Sequence, residues 1–395
     1  MNSSDTHPLK CCLAFLVLAG VSAIQWLYLI GFFTRSSIRS SPRVYYNKTN
    51  SVDNTQYRAG VQISEQELLR RVNKLSFKVK PPSKLQLDDP YFSPSPLKLE
   101  GYNNSVLKQP KFVCGSSHSV HMILPSSPND TETRNAIRET WGSVAQSLTW
   151  PGKALSMSIR LTFVLGVTGK ERDLTEKFDR RTKAFSLKKG SAKDKETRRK
   201  YDAQTNDILQ FDMIDSYQNL TRKILLAMEW VLSSCEDVQY IMKVDQDIFA
   251  NLPLLLSFLK HHGKKNSIYG HIYDGGYVRR EGRWATSKLA YPLDKYPVYA
   301  AGTAYVLSRS AAETVLNLCP YFPYVPIEDA FITGILASVG SVDRIHVAGF
   351  THSEDPKPLP CVFVNDKNYF GNRMTEFDLR RIWRRHIDRG RDDNC

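Results

Sequence analysis

The chain has 395 residues, 54 Lys+Arg against 40 Asp+Glu, and a formal net charge of +14. A hydrophobic fraction of 42% excludes a wholly disordered chain, and the length leaves room for one large domain or two ordinary ones. A basic balance suits nucleic acid, an anionic membrane surface or phosphorylated substrates, so the location of the charge has to decide.

In chain order, a ten-residue tail precedes 23 uncharged positions from Cys11 to Phe33. At about 1.5 Å per residue this run matches the thickness of a bilayer core. It ends Ile30-Gly31-Phe32-Phe33, a poor cleavage site, and reads as an uncleaved single-pass anchor. Arg35, Arg39 and Arg43 outweigh Lys10, which by charge alone places the C-terminal side in the cytosol. Three features oppose that orientation. Long domains translocate largely regardless of charge. Asn-x-Ser/Thr acceptors follow at Asn47, Asn103, Asn129 and Asn219, although Asn219 could instead cap a helix. Cys114, Cys235, Cys319, Cys361 and Cys395 are widely spaced, which suits two disulfides and one spare thiol in an oxidising lumen.

Residues 34–110 hold seven of the 20 prolines and read as an extended stalk. One short helix is predicted at 64–75, behind a Ser64/Glu67 capping box. From 111 to 395 strands and helices alternate. Strands are predicted at 120–124, 159–166, 208–211 and 238–244, and helices at 131–146, 219–234, 252–260 and 328–338. Alternation of this kind implies an α/β domain with a mixed, mainly parallel sheet flanked by helices, binding ligands beyond the strand C-termini. Residues 170–200 carry 13 Lys/Arg against six Asp/Glu, half of the net charge, and read as a solvated loop or an electrostatic guide for an anion.

Several segments carry chemistry. The apolar strand Tyr240–Val244 runs into Asp245-Gln246-Asp247, two carboxylates at a strand end that suit a hard divalent cation and a diphosphate. Glu328-Asp329 opens a helix, where acids serve as caps or as a general base. Arg134 and Arg138, at i and i+4, could clamp a diphosphate or pair with neighbouring acids. Trp284, Tyr291, Tyr296 and Tyr299 form an aromatic segment that could stack on sugar faces, and Gly302 permits close backbone approach.

Arg134-x-x-Ile137-Arg138-x-Thr140-Trp141, Phe163–Gly166, Asp215-Ser216-Tyr217-x-Asn219, Lys243–Phe249, Tyr296-Pro297-x-Tyr299-x-x-Gly302 and Glu328-Asp329 stand in the order of one family. From about residue 120 onward the chain resembles the β-1,3-glycosyltransferases of the galactosyltransferase type, glycosyltransferase family thirty-one. The resemblance implies a type II Golgi membrane enzyme with a lumenal catalytic domain of GT-A fold. It implies an inverting, Mn²⁺-dependent transfer from a UDP-sugar, with galactose as the default, to the 3-hydroxyl of an acceptor glycan on glycoprotein or glycolipid. By the same resemblance Asp247 and Asp245 serve the metal and nucleotide. Asp329, with Glu328 second, is the base. Arg134, Arg138, Trp141, Asp215, Lys243, Trp284, Tyr291, Tyr296, Tyr299 and Gly302 serve donor or acceptor.

The sequence departs from the family at Gln246, where an acid is common, and lacks a His around 370–374, where Asn372 lies instead. N-acetylglucosamine and N-acetylgalactosamine remain alternative donor sugars. A homodimer is a further expectation, and no nucleic-acid partner is expected. The rival classes are a catalytically silent lumenal lectin or chaperone on the same fold, and a membrane-tethered nucleic-acid binder using residues 170–200.

Overall fold

The computed structural model describes residues 63–80, 87–101, 104–111, 119–168, 205–352 and 355–388. The expected anchor, the acceptors Asn47 and Asn103, and the basic segment 170–200 lie outside them. Among the described residues no helix is long and apolar enough to cross a membrane.

The first elements are α1 (Glu65–Val72), β1 (Phe77–Lys80), β2 (Val106–Lys108), β3 (Val120–Pro125) and α2 (Thr131–Arg138). β4 (Ile159–Val167), β5 (Ile208–Ile214), α3 (Leu220–Ser234), β6 (Tyr240–Val244), β7 (Phe249–Ala250) and α4 (Leu252–His262) follow. The chain continues through β8 (Ser267–Tyr273), β9 (Tyr299–Ser308), α5 (Arg309–Leu318), a π-helix (Ala330–Leu336), β10 (Asp343–Val347), β11 (Phe370–Gly371) and α6 (Glu376–Ile387).

Nine strands form one sheet in the order β1-β10-β8-β9-β6-β3-β4-β5-β2. Its residues alternate between two apolar layers. Met122 and Met242 face a layer shared with α2, α4 and α6, whereas Ile123 and Ile241 face one shared with α3, α5 and the π-helix. Both faces are therefore buried, as near-continuous apolar strands require. The sheet is mixed rather than mainly parallel: β3, β4, β5 and β6 run parallel, as do β8 and β10, but β9 runs antiparallel to both its neighbours. That reversal brings the start of β9 beside the end of β6, with Asp245 N–H donating to the Thr303 carbonyl at 2.9 Å.

The folded unit begins before residue 111. Within the predicted stalk, β1 pairs with β10 on one sheet edge and β2 with β5 on the other. Ile63, Leu68 and Val72 are buried. Sparse apolar residues hid this, because short edge strands need few. Only half of the capping box forms: Ser64 Oγ accepts from Glu67 N–H, while the Glu67 carboxylate turns to Arg70 and Arg71. The helix expected at 131–146 also breaks. Thr140 Oγ1 donates back to the Ala136 carbonyl at 2.6 Å, and a 3₁₀ turn at Trp141–Ser143 follows. Asp130, at the N-terminus of this helix, makes no capping bond; its carboxylate accepts from Gln246 instead.

Candidate active site

The C-terminal ends of β3 to β6 and the start of β9 share one edge of the sheet. Lys243, the fourth residue of β6, is the buried hub there. Its ammonium donates to Asp245 Oδ1 at 2.6 Å and to the Gly302 carbonyl, and lies 3.6 Å from Glu328 Oε2. Burial alone would lower its pKa, and the surrounding carboxylates more than offset that, so the ammonium is held well above the usual lysine range. One cation thus joins the strand-end acids to the helix-start acids.

Glu328 is buried, and Tyr305 donates its hydroxyl to Oε1. Burial pushes the Glu328 carboxyl up to about 7 against the pull of Lys243. Asp329 is only partly buried. Its Oδ1 accepts the Ala330 N–H at 2.9 Å, a cap on the π-helix. Burial also raises its pKa, again opposed by Lys243. Across from it Gly302 leaves no space for a side chain: a Cβ there would sit 2.9 Å from Asp329 Oδ2. Tyr217 has its hydroxyl pKa raised to about 12 by burial and by Asp329 and Glu328, and the Arg283 guanidinium lies 4.7 Å over its ring. Sequence reasoning passed over both residues as site candidates, although Tyr217 stands within a family motif and Arg283 precedes Trp284.

Asp245 is partly exposed and Asp247 exposed. Desolvation and the neighbouring Asp245 charge raise the Asp247 pKa, as expected of like charges that a cation would relieve. Met374 N–H donates to the Asp247 carbonyl at 2.8 Å, and Arg373 N–H to its carboxylate. Just before them, the buried Asn372 donates its amide N–H to the His352 carbonyl and leaves Oδ1 without a hydrogen-bond partner among the described residues. Two carboxylates and a spare carboxamide oxygen are a hard-oxygen set of the kind Mg²⁺ or Mn²⁺ prefers, so these residues fit a divalent cation. Gln246 turns away: Ser126 donates to its Oε1, and its amide donates to Asp130.

Several expected donor or acceptor residues have structural roles. Arg134 is fully buried and donates to Ser126 Oγ at 2.7 Å and to the carbonyls of Ser127 and Pro128, holding the loop after β3. Arg138 forms a two-pronged pair with Asp207, at 2.7 and 2.8 Å, instead of facing a diphosphate. Trp141 is fully buried in the core. Asp215 pairs with the buried Lys223 and accepts Gly166 N–H, pinning the ends of β4 and β5 together. Tyr291 and Tyr296 are buried; their hydroxyls bond the Lys295 carbonyl and Thr286. Tyr299 remains partly exposed, and Trp284 is 45% exposed under the Arg279 guanidinium. Arg138→Ala strands the Asp207 carboxylate and is expected to cost about 3–5 kcal/mol, read from urea unfolding.

A second cluster joins β8 to the segment after β10. His271, His352 and Asp355 place ligand atoms within 4.8 Å of one another. Burial and the imidazoles of His352 and His346 lower the His271 pKa to about 4.

The mixed α/β sheet thus gathers two acidic pairs around one lysine at its strand ends, where open α/β sheets bind ligands. The Galactosyltransferase family model matches residues 180–348. Beta-1,3-galactosyltransferase 5 of Mus musculus is 31% identical over 221 residues, 55% of this chain and 63% of its own length. Lactosylceramide 1,3-N-acetyl-beta-D-glucosaminyltransferase A of Xenopus laevis is 30% identical over 282 residues, 68% of this chain and 66% of its own. Beta-1,3-galactosyltransferase 2 of Homo sapiens is 28% identical over 269 residues, 66% of this chain and 53% of its own. The chain thus spans about two thirds or less of the length of these relatives. Residues 180–348 thus carry the galactosyltransferase family's domain, and the chain is similar to named β-1,3-glycosyltransferases over longer stretches than that.

Proposed function

We propose that the chain is an inverting β-1,3-glycosyltransferase of GT-A fold that moves a hexose from a UDP-sugar to the 3-hydroxyl of an acceptor glycan. The observation that carries this is the contrast within the helix-start pair. Glu328 is sealed by Tyr305 and Lys243, while Asp329 is partly exposed, raised in pKa and set against Gly302. Asp329 removes the acceptor proton as that oxygen attacks the anomeric carbon, and Glu328 and Lys243 fix its position. Mn²⁺ held by Asp247, with Asp245 beside it, would neutralise charge on the departing diphosphate. Trp284, 45% exposed, and the partly exposed Tyr299 offer aromatic rings to the sugars. Galactose is the default donor sugar, because both named galactosyltransferases among the relatives share it. The relative named for N-acetylglucosamine transfer keeps that sugar as the second reading.

The test is a screen of UDP-galactose, UDP-N-acetylglucosamine and UDP-N-acetylgalactosamine with Mn²⁺, reading UDP release in the presence of acceptor glycans. No release with any donor would favour a silent lectin on the same fold. Gly302→Ala is expected to lower kcat by about 10²-fold at unchanged thermal stability, because the new methyl displaces the Asp329 carboxylate.

We further propose a type II Golgi placement with the anchor at 11–33. Cys235 and Cys361 each take part in a disulfide, which suits an oxidising lumen, while Cys319 is a free, buried thiol. Asn129 is exposed and free to carry a glycan, whereas the Asn219 amide bonds the Ile214 carbonyl. Asn129→Gln is expected to remove one glycan, seen as a gel shift that endoglycosidase treatment abolishes.

A further inference from the structure

We propose that Arg279 and Arg283 make the acceptor side of the site selective for a glycan that carries an anionic group, a carboxylate or a sulfate, close to the sugar being extended. The inference rests on the transferase reading above and adds the charge of its acceptor. Residues 277–295 hold five Lys/Arg, at 279, 280, 283, 288 and 295, against Glu281 and Asp294. Arg283 lies 4.7 Å over the ring of Tyr217, whose hydroxyl feels the charges of Asp329 and Glu328. A cation therefore stands on the side of the base, where the acceptor hydroxyl has to arrive. Arg279 lies 4.7 Å over the ring of Trp284, the next residue after Arg283.

Both guanidiniums are exposed, and among the described residues neither has a carboxylate partner. Asp294 reaches Arg280 instead, at 3.7 Å. A ring contact limits the motion of a guanidinium and leaves its N–H donors for an oxyanion. The segment that presents them is already ordered. Arg280 donates to the carbonyls of Thr286, Tyr291 and Leu293 at 3.0, 2.8 and 2.6 Å. Thr286 N–H donates to the Arg279 carbonyl at 2.8 Å, and the Tyr291 hydroxyl to that of Lys295. One arginine thus builds the loop, and the two beside it stay available. Little ordering cost is left to be met on binding.

The chemistry selects the ligand class. Guanidinium donors match the oxygens of a carboxylate or sulfate, and charge-assisted hydrogen bonds are about twice as strong as neutral ones. A neutral acceptor finds only ring faces here. The donor diphosphate has its own counter-charge at the strand-end cation site, so these two arginines are left for the acceptor.

The experiment uses the full chain in detergent micelles with Mn²⁺ and the donor sugar. Its acceptor probes are the β-methyl glycoside of N-acetylglucosamine with its 6-sulfate, and N-acetyllactosamine with its 6′-sulfate and its 6′-sialyl form. Every probe keeps a free 3-hydroxyl, and the sialyl form separates carboxylate from sulfate recognition. The expected result is a preference of at least about tenfold in kcat/KM for an anionic probe over its neutral parent. Raising NaCl from about 50 to about 500 mM should remove most of it. Arg279→Gln and Arg283→Gln should each cut the preference several-fold, and Arg283→Lys should restore part of it. Calorimetric binding of the same glycans to the protein loaded with UDP and Mn²⁺ should follow the same order. Equal use of neutral and anionic probes would overturn the inference and leave the transferase reading standing. An anion preference in binding with no transfer to any probe would do the reverse. A preference that survives both Gln variants would also overturn it, as would a tenfold loss of UDP-sugar affinity in Arg283→Gln, which would assign that cation to the donor.

Discussion

Asp329→Asn is expected to lower kcat by about 10²–10⁴-fold while UDP-sugar affinity stays within about twofold. The amide keeps the shape of the carboxylate and can still accept the Ala330 N–H that caps the π-helix. It cannot take a proton from the acceptor hydroxyl. Tyr305 and Lys243 stay engaged with Glu328, so the hub beneath the site survives the change. Single-turnover transfer and binding of the UDP-sugar, measured on the same protein, separate the two effects. Turnover at the wild-type rate would remove Asp329 as the base. Glu328 would then be the remaining acid of the pair, and it would have to part from Tyr305 and Lys243 to act.

Removing residues 1–110 is expected to abolish folding, whereas a chain beginning at residue 60 should fold and bind UDP-sugar. The shorter chain loses Ile63, Leu68 and Val72, each worth about 1.5–3 kcal/mol of burial. That loss is of the order of the whole stability of an ordinary domain, about 5–15 kcal/mol. It also takes Arg71 from Asp366, a buried carboxylate that Arg71 reaches at 2.5 Å and that Lys153 and Asn251 also bond. β5 and β10 become bare edges, open to pairing with other chains. Expression of both proteins, followed by size exclusion and thermal melting, checks the expectation. A soluble, cooperatively melting chain from 111 would restore the stalk boundary read from the prolines.

Much of the interior order was legible because it rests on local rules. β3, β4 and β6 carry apolar residues on both faces, and the observed strands match the expected ones to within a few residues. The helix at 220–234 shows the same agreement. Edge elements were not legible: β1 and β2 are four and three residues long and mostly exposed, so nothing in their composition separates them from a linker. The arginines at 134 and 138 illustrate the same limit at the site. Spacing put them on one helical face, but only the fold supplied Ser126 and Asp207 as their partners.

The sequence by itself pointed to the family, the α/β character and the acids worth testing, because these follow from short motifs and from residue periodicity. Only the tertiary structure decided how those motifs meet. The antiparallel turn of β9 sets Gly302 beside the end of β6, and Lys243 then joins Asp245 to Glu328 across 83 positions of chain. The +14 net charge gives no hint of that arrangement. Long-range charge is screened within about 10 Å, whereas a buried lysine between carboxylates acts at contact distance, where burial leaves little water to weaken it.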